Sequence, residues 1–219
     1  MGQVFAYSLV SALVLMLMYL VYKWILSGEN QHGYNRAVLL GIYAISLAAP
    51  LFIPALSHML DGGRGESGTV AVGMPTVEFG TGDSAASSVL ATVLTVIYFS
   101  GVFAVVVATC YSALRLNNII RNGEHYDHEG FTLVIHEDCG LAPFSWRNYI
   151  VINRKDFAES CNLILVHETM HVKAWHWVDL MVAQAVAAFQ WYNPAAWLMR
   201  EELKTVHEYQ ADEAVMLSG

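Results

Sequence analysis

The sequence has few charged residues, and they are unevenly distributed. Only 14 % of its 219 residues are Asp, Glu, Lys or Arg, and 56 % are apolar. Soluble proteins typically contain about 25 % charged and about 45–50 % apolar residues. Residues 1–22, 37–60 and 84–114 contain no charged residue. This pattern argues against a fully soluble protein. It predicts a membrane-embedded N-terminal part followed by a more polar C-terminal part.

Cysteine and basic residues are also scarce. Cys110, Cys139 and Cys161 are far apart and odd in number, so the sequence predicts neither a disulfide framework nor a thiolate zinc site. The 11 basic residues are outnumbered by 19 acidic ones, which gives a formal net charge of −8. Because direct nucleic-acid binding normally requires a basic patch, we expect none here.

Three apolar stretches are long enough to cross a bilayer, which takes about 20 residues. They span residues 4–22, 37–57 and 88–114. We predict a membrane domain, residues 1–114, that contains these three transmembrane helices. Buried helices of a soluble protein are the alternative, and three such stretches in one half of the chain disfavour it. A signal peptide is disfavoured for the first stretch because it lacks a basic start and a small-x-small cleavage site.

The distribution of Lys and Arg predicts the orientation, because cytoplasmic loops are enriched in these residues. The first loop, residues 23–36, contains Lys23 and Arg36, whereas the second, residues 58–87, contains Arg64 among four acidic residues. We therefore predict a multi-pass protein whose N-terminus and loop 58–87 lie outside. Residues 115–219 would form a cytoplasmic domain. In loop 58–87 we expect flexible chain with a short strand at 69–72.

The rear of the chain has the pattern of a small α+β domain. Residues 115–121 should continue the third helix, and residues 123–130 should form a turn or linker. Short β-branched and aromatic runs at 131–136 and 149–152 predict two strands, with a loop between them. A long helix should begin near Phe157. The fold class is thus a mainly α membrane protein with a small α+β domain, whose sheet edge would accept an extended peptide.

Residues 167–171 read His-Glu-Thr-Met-His, which is the pattern H-E-x-x-H. Residues four apart lie on one face of a helix, so both imidazoles can reach one zinc ion (Zn2+) at ~2.0–2.1 Å. Zinc lowers the pKa of a bound water to about 7, and Glu168 stands where it would take that proton as general base. Two surface histidines are the alternative, but the preceding apolar run, 163–166, favours a buried helix whose polar groups need a partner.

Catalytic zinc usually has a third protein ligand. The candidates downstream are His176, Asp179, His207, Glu208 and Asp212. Glu208 and Asp212 share one helical face, so one could bind the metal while the other orients an imidazole. A solvated acidic face is the alternative for this pair.

The apolar segment 177–199 resembles a fourth span. If it crossed the bilayer, Glu208 and His167 would lie on opposite sides. Only 13 residues, 180–192, separate Asp179 from Asn193, which is short for a span. We therefore predict a helix over 178–191 that does not cross, with a reversal of the chain at Asn193 and Pro194.

Four segments that follow the spans resemble the BlaR/MecR-type membrane zinc metallopeptidases, in particular Bacteroidetes members. They are PFSWRNYIVIN (143–153), HETMHVKAWHWVD (167–179), WYNPAAWLMREEL (191–203) and HEYQAD (207–212). The resemblance implies a gluzincin-like cytoplasmic zinc domain in the bacterial inner membrane. It implies the ligands His167, His171 and Glu208, the base Glu168, and Asp212 as the carboxylate that orients a ligand.

The resemblance also implies a signalling protease that cleaves a cytoplasmic protein, in this family often a transcriptional repressor. Family members usually continue into a further span and a sensor, so we expect either that the sequence is truncated after the zinc motifs or that the sensor is absent. It contains no Ser-x-x-Lys motif, and β-lactam sensing is therefore not predicted. His176 and Asp179 are auxiliary candidates, with an oxyanion role for His176 set against ordinary hydrogen bonding, which we favour.

Two further alternatives remain open. One is a signal-transducing scaffold whose zinc is structural, and Glu168 is the residue that such a site would not need. The other concerns assembly. Small residues in the spans allow close helix packing within one chain or in a homo-oligomer; they are Ser11, Ala12, Gly41, Gly101 and Ala104.

Overall fold

The structure, a computed structural model, describes residues 2–26, 28, 31–60, 84–138 and 140–218. Three long apolar helices come first: α1 (Gly2–Ile25), α2 (His32–Leu60) and α3 (Ser84–Arg121). The portions long and apolar enough to cross a membrane are Val4–Ile25, His32–Phe52 and Val89–Arg121. The prediction of three such helices is therefore confirmed, as is the continuation of α3 through 115–121.

The predicted loop 58–87 is shorter at both ends than expected. Helix α2 continues to Leu60, and α3 begins at Ser84. The residues between them, with the predicted strand at 69–72, lie outside the described residues, as does Cys139.

A small mixed sheet and three helices follow. The elements are β1 (Glu124–His128), β2 (Phe131–His136), β3 (Phe144–Trp146), β4 (Tyr149–Asn153), α4 (Arg154–Lys173), α5 (His176–Phe189) and α6 (Pro194–Ser218). The sheet order is β1-β2-β4-β3, and only β2 and β4 are parallel to each other. The strands predicted at 131–136 and 149–152 are confirmed.

The turn predicted over 123–130 and the loop predicted between β2 and β4 are wrong in part. Strand β1 occupies most of the first segment and pairs with β2 through a hairpin in which Gly130 has φ +91°. All five β1 side chains are exposed, so it carries no apolar alternation. Strand β3 has only three residues and pairs with β4.

The two faces of the sheet are both covered. Ile135, Ile150 and Ile152 pack with Val172 of α4. Val134 and Val151 point the other way and pack with Ile120, near the end of α3. The alternation of strand side chains between faces explains this division, and it fixes α4 against the sheet.

Helix α4 begins three residues before the predicted start at Phe157. The side chain of Asn153 accepts a hydrogen bond from the backbone N–H of Asp156 at 2.7 Å. This N-cap satisfies a donor that the first helical turn leaves open. Asn153 also ends β4, so a single residue joins the sheet to the helix that carries His167 and His171.

The chain forms two compact units, whose boundary differs from the predicted division at residue 114. The first contains Met1–Gly28, Ala37–Val105 and Ala185–Met199. The second contains Glu29–Arg36, Val106–Gln184 and Arg200–Gly219. The predicted division at 114 is the end of the third apolar stretch, whereas the apolar segment Ala185–Met199 belongs to the same compact unit as α1.

In the first unit, a tight turn between α5 and α6 is held by polar side chains. Gln190 donates to Ser11 Oγ at 2.8 Å, and Asn193 donates to the Ala12 carbonyl at 3.2 Å. Tyr98 of α3 donates to the Phe189 carbonyl at 2.9 Å. The predicted helix before Asn193 and the predicted break at Asn193-Pro194 are confirmed, with α5 beginning and ending two residues earlier than expected.

Candidate metal centre

Two histidines of α4 and one glutamate of α6 converge in the second unit. The Nε2 atoms of His167 and His171 are 3.3 Å apart. A carboxylate oxygen of Glu208 lies 3.4 Å from His167 Nε2, and the other lies 3.8 Å from His171 Nε2. The three side chains form a group able to hold a metal ion, as the sequence predicts for these residues.

The donor set and its spacing fit zinc. Two imidazole nitrogens and a carboxylate oxygen are common zinc ligands, and bonds of ~2.0–2.1 Å at tetrahedral angles separate ligand atoms by about 3.3 Å. The 3.3 Å between the two nitrogens and the 3.4 Å between His167 Nε2 and one Glu208 oxygen are close to that value, whereas the oxygen nearest His171 Nε2 is the other one, at 3.8 Å. The side chain of Glu208 is 60 % exposed, against 14 % for His171, so the group is open on the side of α6.

Each candidate ligand histidine has a separate partner for its second ring nitrogen. His167 Nδ1 lies 3.1 Å from a carboxylate oxygen of Asp212, one helical turn beyond Glu208. His171 Nδ1 lies 2.8 Å from His176 Nδ1. Such partners fix the tautomer and orientation of a metal-binding imidazole. Asp212 therefore lies where the sequence predicts a carboxylate that orients a ligand.

Glu168 lies beside the candidate ligands and is only 7 % exposed. It accepts a hydrogen bond from Ser145 of β3. Burial raises the pKa of the Glu168 carboxyl, and the nearby Glu208 adds to this, while Ser145 and His167 oppose it. The side chain is thus held between the edge of the sheet and the candidate metal ligands.

His176 lies behind His171 and is 2 % exposed. Its Nε2 lies 3.1 Å from the side-chain oxygen of Gln210, and its ring stacks on His207 with centroids 3.9 Å apart. Burial, together with His207 and His171, lowers the pKa of His176 to about 3. Both ring nitrogens are engaged inside the protein, an arrangement that favours the hydrogen-bonding role over the oxyanion role.

An ion pair supports this buried layer. His207 Nε2 lies 2.9 Å from Asp179 Oδ2, and Arg36 Nε donates to the same oxygen at 2.6 Å. Arg36 also donates to the carbonyl of Ala174, at the end of α4. Burial alone would raise the pKa of Asp179, but the hydrogen bonds from His207 and Arg36 outweigh it and lower that pKa. Asp179 is thus a structural partner behind the site.

A groove of about 370 Å³ opens beside the candidate ligands. It is lined by the apolar residues Pro143, Leu163, Ile164 and Val215 and by the polar residues His167, Glu168 and Asp212. Strand β3 is the end strand of the sheet, and within the described part of the chain it pairs only with β4. An apolar groove and a strand edge therefore border the same carboxylate, that of Glu168.

The structure brings together His167, Glu168, His171, Glu208 and Asp212, and it places His176 and Asp179 one layer further back. His207, also a candidate ligand in the sequence, faces Asp179 instead. Sequence reasoning missed Ser145, Gln210 and the contact of Arg36. Gln210 lies inside the segment HEYQAD, which was the only signal for it.

No protein-family model matches the chain, and no curated protein matches it.

Proposed function

We propose that the protein is a membrane-embedded zinc metalloendopeptidase that cleaves a cytoplasmic or membrane-proximal protein in signal transduction, and thereby regulates gene expression. The observation that carries the proposal is the convergence of His167, His171 and Glu208 beside the buried carboxylate of Glu168. The resemblance of the four motif segments to BlaR/MecR-type peptidases supports the same function.

Each residue has a defined task in this reaction. His167, His171 and Glu208 would hold the metal, which when bound polarises a water molecule and the scissile carbonyl. Glu168 takes a proton from the water and passes it to the amine that leaves. Ser145 donates to Glu168 and so limits the rotation of its carboxylate.

The shape of the site suits an extended peptide. The edge of β3 offers backbone groups for strand addition, and the apolar groove lies next to it. The four apolar lining residues favour an apolar side chain close to the cleaved bond. A protein substrate therefore fits the site better than a small polar molecule does.

The alternative function is a signal-transducing scaffold with a structural zinc. Structural zinc sites normally have four protein ligands and no open position. Among the described residues, the candidate group has three members, one of them largely exposed, and a carboxylate beside it that is not a ligand. These features favour catalysis.

The residue to test is Glu168. Membranes that contain the full chain are incubated with cytoplasmic and membrane proteins of the host cell, and newly formed N-termini are identified by mass spectrometry. Glu168→Gln should reduce specific cleavage by about 10²–10⁴-fold, because it removes the general base. Glu159→Gln, an exposed residue on the same helix, is the matched control and should cleave like the wild type.

Zinc content is measured on the same purified proteins. Wild type and both variants should bind zinc, because none of these changes removes a ligand. Wild type without zinc would refute the metal site. Unchanged cleavage by Glu168→Gln would refute the mechanism, and a zinc-loaded wild type that cleaves nothing would favour the scaffold.

The proposal includes a location in the bacterial inner membrane, with several spans. The N-terminus would lie outside and the zinc site in the cytoplasm, as the distribution of Lys and Arg indicates. The bilayer would be a partner of the three apolar helices. The partner that is cleaved would be a cytoplasmic protein, and a transcriptional repressor matches the family resemblance.

A further inference from the structure

A row of side chains extends from His171 away from the candidate metal position. His171 Nδ1 lies 2.8 Å from His176 Nδ1, and His176 Nε2 lies 3.1 Å from the Gln210 side-chain oxygen. The first two residues flank the α4–α5 junction, and Gln210 comes from α6, two residues after Glu208. The row therefore joins a candidate ligand of α4 to the helix that carries the third ligand.

The donor and acceptor in each hydrogen bond of this row follow from the chemistry of the Gln210 side chain. The Gln210 oxygen only accepts, so His176 Nε2 must carry a hydrogen and donate it. A neutral imidazole then has a lone pair at Nδ1, which accepts from His171 Nδ1–H. His171 is left with an unprotonated Nε2, the atom that lies 3.3 Å from His167 Nε2. The tautomer required for metal binding thus follows from the Gln210 oxygen.

The ring of His176 is also fixed in orientation. It lies parallel to the ring of His207, with an interplanar angle of 7° and centroids 3.9 Å apart. His207 is held in turn by Asp179, which pairs with Arg36. With one face stacked and both nitrogens bonded, the imidazole of His176 cannot rotate without losing several contacts.

We infer that His176 and Gln210 are positioning residues, which hold His171 in the tautomer and orientation that bind the metal. This inference rests on the metal site of the proposed function. In this inference, the Gln210 oxygen matters because it accepts a hydrogen bond from His176, and not because of the volume of the side chain. The lone pair at His176 Nδ1 matters because it accepts from His171. A role in packing alone would require only side chains of similar size.

The experiment measures zinc affinity of the full chain in detergent by competition with a chromophoric chelator. His176→Leu removes the acceptor, so zinc should bind about 10–100-fold more weakly. His176→Asn places an oxygen near the position of Nδ1 and should restore part of the affinity. His128→Leu removes an exposed histidine of β1 and is the control that should bind like wild type.

Gln210 provides a second, independent pair of variants. Gln210→Glu keeps an oxygen acceptor and should bind zinc like wild type, whereas Gln210→Leu should bind more weakly. This pair decides the question if His176→Leu fails to fold. Nitrogen NMR of ¹⁵N-histidine-labelled, metal-free protein should show the Nδ1–H tautomer of His171 in wild type and a tautomer mixture in Gln210→Leu, with His171→Asn used for assignment.

The outcomes separate the two proposals. If wild type binds no zinc, the metal site of the proposed function is wrong. If wild type binds zinc and both leucine variants bind it equally well, the site stands and the positioning role is overturned. A loss of affinity that Gln210→Glu shares with Gln210→Leu would also overturn it, since an oxygen acceptor at this position would then not be sufficient for zinc binding.

Discussion

The two acidic residues that lie one turn apart on α6 have different partners. Glu208 faces the Nε2 atoms of both histidines, whereas Asp212 faces only His167 Nδ1 at 3.1 Å. The spacing of four residues places both on one side of the helix. The two carboxylates therefore face different nitrogens of the His167 ring.

Asp212 can be tested separately from the ligands. Asp212→Ala should weaken zinc binding by about 10–100-fold, because the imidazole of His167 loses the acceptor that orients it. The zinc dissociation constant is measured by chelator competition. Glu213→Ala, the exposed neighbour, should have no effect. Equal affinities of the two variants would show that Asp212 does not orient the ligand.

Helix α3 has one position at which only glycine fits. A Cβ built on Gly101 would lie 2.1–2.5 Å from ring atoms of Trp191, in the turn between α5 and α6. Trp191 also donates from its ring N–H to the Tyr98 carbonyl at 3.1 Å, which prevents the ring from moving away without loss. Close approach of helix and turn therefore depends on the missing side chain.

We expect Gly101→Ala to lower the melting temperature of the protein in detergent by several degrees. Overpacking typically costs about 1–3 kcal/mol, and about 1 kcal/mol corresponds to roughly 2–4 °C in a chain of this size. The matched control is Gly41→Ala in α2, where a Cβ would meet nothing within 4 Å. That variant should melt at the same temperature or slightly higher. Equal melting of both variants would contradict the packing at Gly101.

The sequence predicts some helices and strands of this fold but not others. Long apolar helices and the pair His167 and His171 are local features, since helical periodicity alone fixes which side chains share a face. Strand β1 was missed because all five of its residues are exposed and four of them are Glu, Asp or His, so it forms by pairing with β2 and not by burial. Strand β3 is too short for any alternation to appear.

The buried layer behind the site was less accessible to sequence reasoning. Gln210 contacts His176 because α6 is rotated about its own axis so that this side chain faces α5. Tertiary packing determines that rotation. The bond between Arg36 and Asp179 joins residues 143 positions apart, and no local pattern marks such a pair. Sequence reasoning therefore identified the candidate metal group together with Asp212, His176 and Asp179, and missed Ser145, Gln210 and the contact of Arg36.

For the whole molecule, the proposed orientation makes a direct prediction about labelling. In a chain whose native cysteines are replaced by serine, Thr81→Cys should react with a membrane-impermeant maleimide in cells with a permeabilised outer membrane. Glu213→Cys should react only after the inner membrane is opened, because the zinc site would be cytoplasmic. Both sites should react in detergent, which serves as the control. The reverse pattern would invert the orientation.

The contact of Arg36 determines how the protein can be divided for study. Arg36 belongs to the first turns of α2, yet it lies in the same compact unit as the candidate metal centre. A fragment that begins at residue 115 would lack this guanidinium. The Asp179 carboxylate would keep His207 as a partner but lose the ion pair with Arg36, and the Ala174 carbonyl would lose its side-chain donor. Residues 115–219 therefore do not contain all of the compact unit to which they belong. If they are expressed alone, the contacts that Arg36 makes in that unit are lost.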